Sequence, residues 1–324
     1  MKKYSYYILI IAILVTIVLV LVFNDKPGTI TGSEKNFAIT DTSNITKIRY
    51  IKNGEVMELS KPSSIWIVNK KYPAKKQLVN ATLQFLQQFN VISAVPKEMT
   101  AKAIETLNEK SLQVTVEAEN KILVQYRFCE IDTAPSKAWI IMEGSSKPYI
   151  ANLIGYEIPL FTIFPTSEMM WRDTKVFRTP ISDMLMAGLA YPKHPEKNFS
   201  ISRKDSSFQL KQGDSIEKNI DKESISQFLM SINNLKIDRF ATYSDDIKYS
   251  SIKNEIPYAE IIVKNIDNSL ETIKVYQIIS NVKNAPKTNP DNLLGIIGLD
   301  TIPVLLKYID FDPLLKVKED FLGK

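Results

Sequence analysis

Ile45-Thr46-Lys47-Ile48-Arg49-Tyr50-Ile51-Lys52-Asn53-Gly54-Glu55-Val56-Met57-Glu58-Leu59 carries the period that decides the fold. Apolar and polar residues alternate through Ile45 to Ile51, which is the pattern of a strand with one buried face. Asn53-Gly54 is the dipeptide that accepts the positive φ of a tight hairpin turn, and Val56 to Leu59 forms the returning strand. Phe37-Ala38-Ile39 opens this globular part, and Ile65-Trp66-Ile67-Val68 adds a third strand, so the chain begins its folded body as an antiparallel meander.

From Lys75 to Asn90 the period changes. Leu78, Val79, Leu83, Leu86 and Phe89 fall three and four residues apart, one apolar face of a helix that has to be buried against the sheet. A second, short helix is expected around Ala101 to Leu107. Alternation then returns at Leu112, Val114 and Val116 and at Ile122, Val124, Tyr126 and Phe128. Trp139-Ile140-Ile141-Met142 and Tyr149-Ile150 flank the turn Glu143-Gly144-Ser145-Ser146. Helices on one face of antiparallel strands make an α+β layer.

The chain then runs through a similar series again. Phe177 stands for Phe37, Phe208 for Trp66, Phe228-Leu229 for Phe85-Leu86, Ala259 to Val263 for Leu112 to Val116, Tyr276 for Tyr126 and Pro303 for Pro148. The matches are collinear and their spacing widens gradually, as turn insertions in a duplicated unit would leave it. Two unrelated α+β domains alike only in class are the competing explanation. Glu168 to Phe177, between the copies, is too rich in large apolar groups for a flexible linker. The expectation is a packed interface between the halves that contains Trp171, in one elongated rigid body.

Ahead of both copies lies Tyr7 to Phe23, an uninterrupted apolar run behind Lys2 and Lys3. As a helix it just spans a hydrocarbon core of about 30 Å. The run is longer than a secretory core region and ends in Phe23-Asn24-Asp25-Lys26-Pro27, without a small-x-small cleavage motif, so it reads as a retained signal-anchor. The lysines in front keep the amino terminus cytoplasmic and put the body in the periplasm or outside. The sequence thus divides into a cytoplasmic stub 1–6, a transmembrane segment 7–23, a polar, flexible linker 24–36, and α+β repeats at 37–170 and 171–324.

Composition excludes more than it suggests. A net charge of +5 over 324 residues, evenly spread, gives no nucleic-acid patch. With one cysteine, Cys129, and one histidine, His194, neither an internal disulfide nor most zinc sites can be built. Ten glycines, none in a phosphate-cradling motif, leave no nucleotide loop. His194 sits between prolines in an exposed turn. Asp245-Asp246 and Asp310-Phe311-Asp312 are the carboxylate pairs available to a hydrolase or a hard cation, though neither has calcium-loop spacing. No catalytic residue, cofactor or metal is expected.

Phe37 to Asp41 with Ile45 to Ile48, Trp66 to Asn69 with Tyr72-Pro73-Ala74, Glu143-Gly144 with Lys147-Pro148-Tyr149, and Trp171-Arg172-Asp173 with Val176-Phe177 resemble the bacterial family filed as domain of unknown function 4340. The resemblance runs from Phe37 to about Phe199 and fades in the second copy. It implies a single-anchor envelope protein encoded beside transport ATPases and gliding-motility-type subunits, and it transfers no catalytic residue.

The function expected is therefore a non-enzymatic accessory or scaffold subunit of a transport or gliding-like envelope complex at the inner membrane. Its partners are the membrane, through Tyr7 to Phe23, and other envelope proteins; a small-molecule ligand is left open. A carboxylate-dependent envelope hydrolase and a small-molecule module between the repeats are the alternatives. The partner surface nominated is the apolar, proline-bounded segment carrying Tyr156, Ile158, Leu160, Phe161 and Phe164, which has no clean period.

Overall fold

The structure is a computed structural model that describes residues 37–131, 134–153, 160–205, 207–241, 252, 254–279 and 288–323. The expected anchor at 7–23, the linker at 24–36, Asp245-Asp246, Tyr156 and Ile158 lie outside the described residues. Among those described, no helix is long and apolar enough to cross a membrane. The chain divides into two compact units between Asp173 and Thr174, three residues beyond the expected boundary.

The first domain runs β1 (Lys47–Lys52), β2 (Glu55–Ser60), β3 (Ile67–Val68), β4 (Tyr72–Pro73), the helix Lys76–Gln88, β5 (Phe89–Ala94), the helix Lys97–Lys110, β6 (Leu112–Ala118), β7 (Lys121–Ile131), β8 (Ala134–Met142) and β9 (Tyr149–Leu153). They form one nine-stranded antiparallel sheet in the order β4-β3-β2-β1-β6-β7-β8-β9-β5. After β4 the chain stands at one edge, and β5 is the opposite edge. The 13-residue helix Lys76–Gln88 covers about 20 Å of that crossing. Val79, Thr82, Phe85 and Leu86 are its buried face, packed with Tyr126, Phe128 and Ile140 of the sheet.

The second domain runs β10 (Met184–Ala190), β11 (Phe199–Lys204), β12 (Ser207–Gln212), β13 (Ser215–Ile216), the helix Lys222–Asn234, β14 (Arg239–Phe240), β15 (Ala259–Asn265), β16 (Leu270–Ile279), β17 (Thr288–Ile297) and β18 (Val304–Lys307). Its sheet order is β13-β12-β11-β10-β15-β16-β17-β18-β14, the first order repeated strand for strand. The registers agree as well. Ile48 stands opposite Leu59 and Val116, and Ala187 stands opposite Ile201 and Val263. The matching helices Lys76–Gln88 and Lys222–Asn234 both end on an extended apolar cap, Phe89 in the first domain and Leu235 in the second. The second helix adds an N-cap that the first lacks. Asp221 accepts from the Ser224 hydroxyl at 2.6 Å and the Glu223 amide at 3.0 Å, and these bonds hold its carboxyl below the usual range.

These registers correct two of the expected correspondences. Ile273 pairs with Ile261 as Tyr126 pairs with Val114, so Ile273 takes the place of Tyr126. Tyr276 pairs with Leu294 as Cys129 pairs with Trp139, which puts Tyr276 on the other face. Matching the two long helices cap to cap makes Ile225 the counterpart of Val79 and Ile232 that of Leu86, so Phe228 falls three residues from the place of Phe85.

The expectation of helices on one face also fails. Val95, Ala103 and Leu107, the last two on the helix Lys97–Lys110, pack with Cys129, Trp139 and Ile141 in a separate core on the face opposite Phe128 and Ile140. Trp139-Ile140-Ile141 is a continuous apolar run rather than an alternating one because its sheet is covered on both sides. In the second domain Tyr276, Leu294, Ile296 and Leu305 form the corresponding cluster, with Ile252 against it.

Trp171, expected in an interface between the halves, belongs to the first domain's core. It is fully buried there; its Nε1–H donates to the Pro165 carbonyl at 2.8 Å and to the Tyr50 hydroxyl, and Tyr50 in turn donates to Pro165. Arg172, next in sequence, lies 3.6 Å from the Tyr72 ring centre.

Tyr126 is also fully buried, against Phe37, Phe89 and Phe128, yet its hydroxyl has no hydrogen-bond partner among the described residues. An unpaired buried hydroxyl costs about 1–3 kcal/mol. Tyr126→Phe is therefore expected to raise the urea midpoint of the first domain, by an amount equivalent to about 1 kcal/mol, with no change in the denaturant slope.

Candidate functional site

The helix Lys97–Lys110 covers β7 and β8. In each domain the corresponding outer face of the other half of the sheet faces away from the main core, and there the two domains differ. In the second domain the outward residues are Met186, Gly188 and Ala190 of β10, Asn198 beside β11, Ser200 of β11, Lys211 of β12 and Ile262 of β15. Together with backbone at Leu189, Phe199 and Gly213 they line a depression of about 250 Å³. Cross-strand pairing fixes its floor as a row Lys211, Ser200, Gly188, Ile262.

The floor is low because Gly188 has no side chain. A Cβ there would meet Met186 Sδ at 3.5 Å, the Phe199 carbonyl at 3.6 Å and Ser200 Cβ at 3.7 Å, all ordinary contact distances. Glycine is thus not demanded by local sterics. What a larger side chain would do is fill the depression.

The same lattice points in the first domain hold charge. Arg49 pairs with Glu58 and Thr115 as Gly188 pairs with Ser200 and Ile262, and Lys47 pairs with Glu117 as Met186 pairs with Lys264. Lys47 Nζ lies 2.9 Å from Glu117 Oε2, and Lys70 Nζ lies 4.0 Å from Glu58 Oε1. One sheet therefore presents a salt-bridged surface where the other, in the same strand order, presents an apolar hollow with lysine at its rim. No residue of this hollow stood out in the sequence. An isolated glycine inside Met184-Leu185-Met186-Ala187-Gly188-Leu189-Ala190 was the available signal, since such a glycine marks a close approach or an open surface.

The residues nominated from sequence do not gather into this site. Phe164 is 1% exposed and packs edge-on against Tyr50 and Phe85, so it is core and not partner surface. An aromatic before a proline in an aperiodic segment can face either way, and here the ring fills the space over the helix Lys76–Gln88. Leu160 and Phe161 lie on the short helical turn Leu160–Ile163, their side chains outside the description, as Tyr156 and Ile158 are entirely. His194 is exposed, 3.5 Å from Glu196. Cys129 is buried beside Trp139. Asp310 and Asp312 are both exposed, on the turn Tyr308–Phe311 and immediately after it.

The shifted titratable groups have structural causes. Burial pushes the phenols of Tyr50, Tyr126, Tyr191 and Tyr258 up. Hydrogen bonds from Ser43 and Ser269 hold Asp41 and Asp267 down, each within a local turn. Among the described residues no group of three or more His, Cys, Asp or Glu could hold a metal ion. Comparison of the chain with protein-family models, with curated proteins and with solved structures finds no match.

Proposed function

We propose that this chain is a membrane-anchored, non-enzymatic envelope protein, an accessory or scaffold subunit of a transport or gliding-like complex, built by duplication of one sheet domain. The observation that carries the reading is the contrast between the two sheets. Strand order and register are repeated, while one exposed face has exchanged an ion-paired lattice for an apolar hollow. Divergence of that kind at the surface of a repeated scaffold suits recognition by another protein better than it suits catalysis. The apolar run Tyr7 to Phe23 behind Lys2 and Lys3 supplies the anchor, and the resemblance to the domain of unknown function 4340 family supplies the envelope setting.

The reading is tested in native membranes of the source cell. After carbonate washing the protein is expected to stay in the membrane pellet, and a cysteine placed at Ser33 is expected to be labelled by a thiol reagent that cannot cross the bilayer. Chemical crosslinking is expected to recover it with a second envelope protein. Release by carbonate removes the anchor, and recovery of the protein alone at every crosslinker length removes the scaffold role.

A further inference from the structure

We propose that the Gly188 hollow is the docking site for a partner polypeptide that lays one large apolar side chain over Gly188 and sets a carboxylate beside Lys211. This rests on the scaffold reading and names the chemistry of its partner. Size is the first argument. At about 250 Å³ the hollow falls below the roughly 300–1,000 Å³ of ordinary small-molecule pockets and matches one or two side chains.

Charge is the second. Lys211, at one end of the floor, has no ion-pair partner among the described residues, nor does Lys264, which stands opposite Met186 two residues along from Ile262. The first domain has Asn69 and Glu117 at these two places, and Glu117 is neutralised by Lys47. Replacing the Lys47–Glu117 pair by Met186 and Lys264 removes the internal counter-ion and leaves cationic charge around an apolar floor. Glu260, on the same face, stands opposite Lys274 on β16 and Ala190 on β10. An apolar group flanked by an acid complements this surface, and a basic segment does not.

Two measurements on the full chain in detergent or nanodiscs test the proposal. The first uses synthetic nine-residue peptides with a central leucine flanked by aspartates, the same with the leucine replaced by alanine, and the same with the aspartates replaced by lysines, read by fluorescence anisotropy. Only the leucine–aspartate peptide is expected to bind. Lys211→Glu, a change at the rim of the sheet, is expected to weaken it by about tenfold or more and to shift preference to the lysine-flanked peptide. Gly188→Trp is expected to abolish binding of both. Equal binding of all three peptides, or no effect of Lys211→Glu, overturns the site.

The second measurement places the photocrosslinker p-benzoylphenylalanine at Ser200 or at Arg49 in native membranes. Crosslinks from Ser200, absent from Arg49, to a partner segment in which an apolar residue adjoins Asp or Glu support the proposal. Crosslinks from Ser200 to this chain's own residues show an internal cover and overturn it. A partner captured from Arg49 alone overturns the docking site and leaves the scaffold role standing. Capture from neither position, with the protein recovered alone, removes both.

Discussion

Trp171→Ala is expected to destabilise the first domain by about 3–5 kcal/mol, the range for deleting a large aromatic from a closed core. Trp171 has no exposed surface, and its ring packs against Tyr50 in the core that also holds Phe164. Its indole N–H serves two acceptors, the Pro165 carbonyl and the Tyr50 hydroxyl. Its backbone carbonyl accepts from the Lys75 amide at 2.7 Å, at the start of the helix Lys76–Gln88, and the next turn of chain returns Asp173 N–H to the Pro73 carbonyl at 2.8 Å. The residue therefore fastens the domain's last segment to β4 and to its main helix. Trp171→Phe keeps most of the apolar surface and loses the donor, so its cost is expected to be smaller, about 1–3 kcal/mol. Urea unfolding followed by hydrogen exchange at Leu112–Ala118 and at Ala259–Asn265 reads the two domains separately. The loss is expected in the first set of amides, with the second unchanged. An equal loss in both would return Trp171 to the interface role that its position between the repeats suggested.

The burial of Trp171 in the first core shows where the sequence stops being legible. Alternation in Ile45 to Leu59, the Asn53-Gly54 turn and the helical period of Leu78 to Phe89 are local signals, and each corresponds to an element observed. The repeat was legible because strand spacing survives divergence: Trp66 and Phe208, or Pro148 and Pro303, stand where collinear spacing put them. Partner choice within the fold was not local. Whether Tyr276 stands for Tyr126 or for Cys129 depends on a three-residue slip, an odd number that changes the face, which matching aromatics cannot resolve but a register does. The second core is hidden because Trp139-Ile140-Ile141 reads as one more strand, whereas its unbroken apolarity is the mark of a sheet covered on both sides. The hollow at Gly188 was hidden for a different reason. It is made by a missing side chain, and it becomes visible only when Arg49 is known to occupy the same place in the other sheet.

The same register explains how two sequences with few identities fill one kind of core, and it yields the second large effect. In the first domain Ile140 stands directly opposite Phe128 on β7 and Tyr149 on β9, with Ala138 two residues before it and Ala151 diagonally across on β9. At the corresponding places the second domain has Gly295, directly opposite Val275 on β16 and Val304 on β18, with Leu293 two residues before it and Leu306 diagonally across on β18. The central isoleucine has shrunk to glycine and the two aromatics opposite it to valines, while the two alanines beside it have grown to leucine, so every side chain of the patch is exchanged. The fit at Gly295 is close. A Cβ would lie 2.9 Å from Val304 Cγ2, 3.1 Å from Ile273 Cδ1 and 3.2 Å from Leu306 Cδ1. Gly295→Ala is therefore expected to cost about 1–3 kcal/mol, and Gly295→Ile to exceed that range, because γ and δ carbons have no space to enter. Combining Gly295→Ile with Leu306→Ala removes one of the three close contacts, and Leu293→Ala supplies the other alanine of the first domain, while Val304 and Ile273 stay in place. The triple variant is then expected to recover part of the stability that Gly295→Ile loses, although the two leucine truncations taken alone each cost about 2–5 kcal/mol. Such recovery is a favourable coupling among neighbours of a few kcal/mol, which a mutant cycle in urea resolves. Additive losses in the triple variant would mean that Val304 and Ile273, rather than Leu306, exclude the larger side chain.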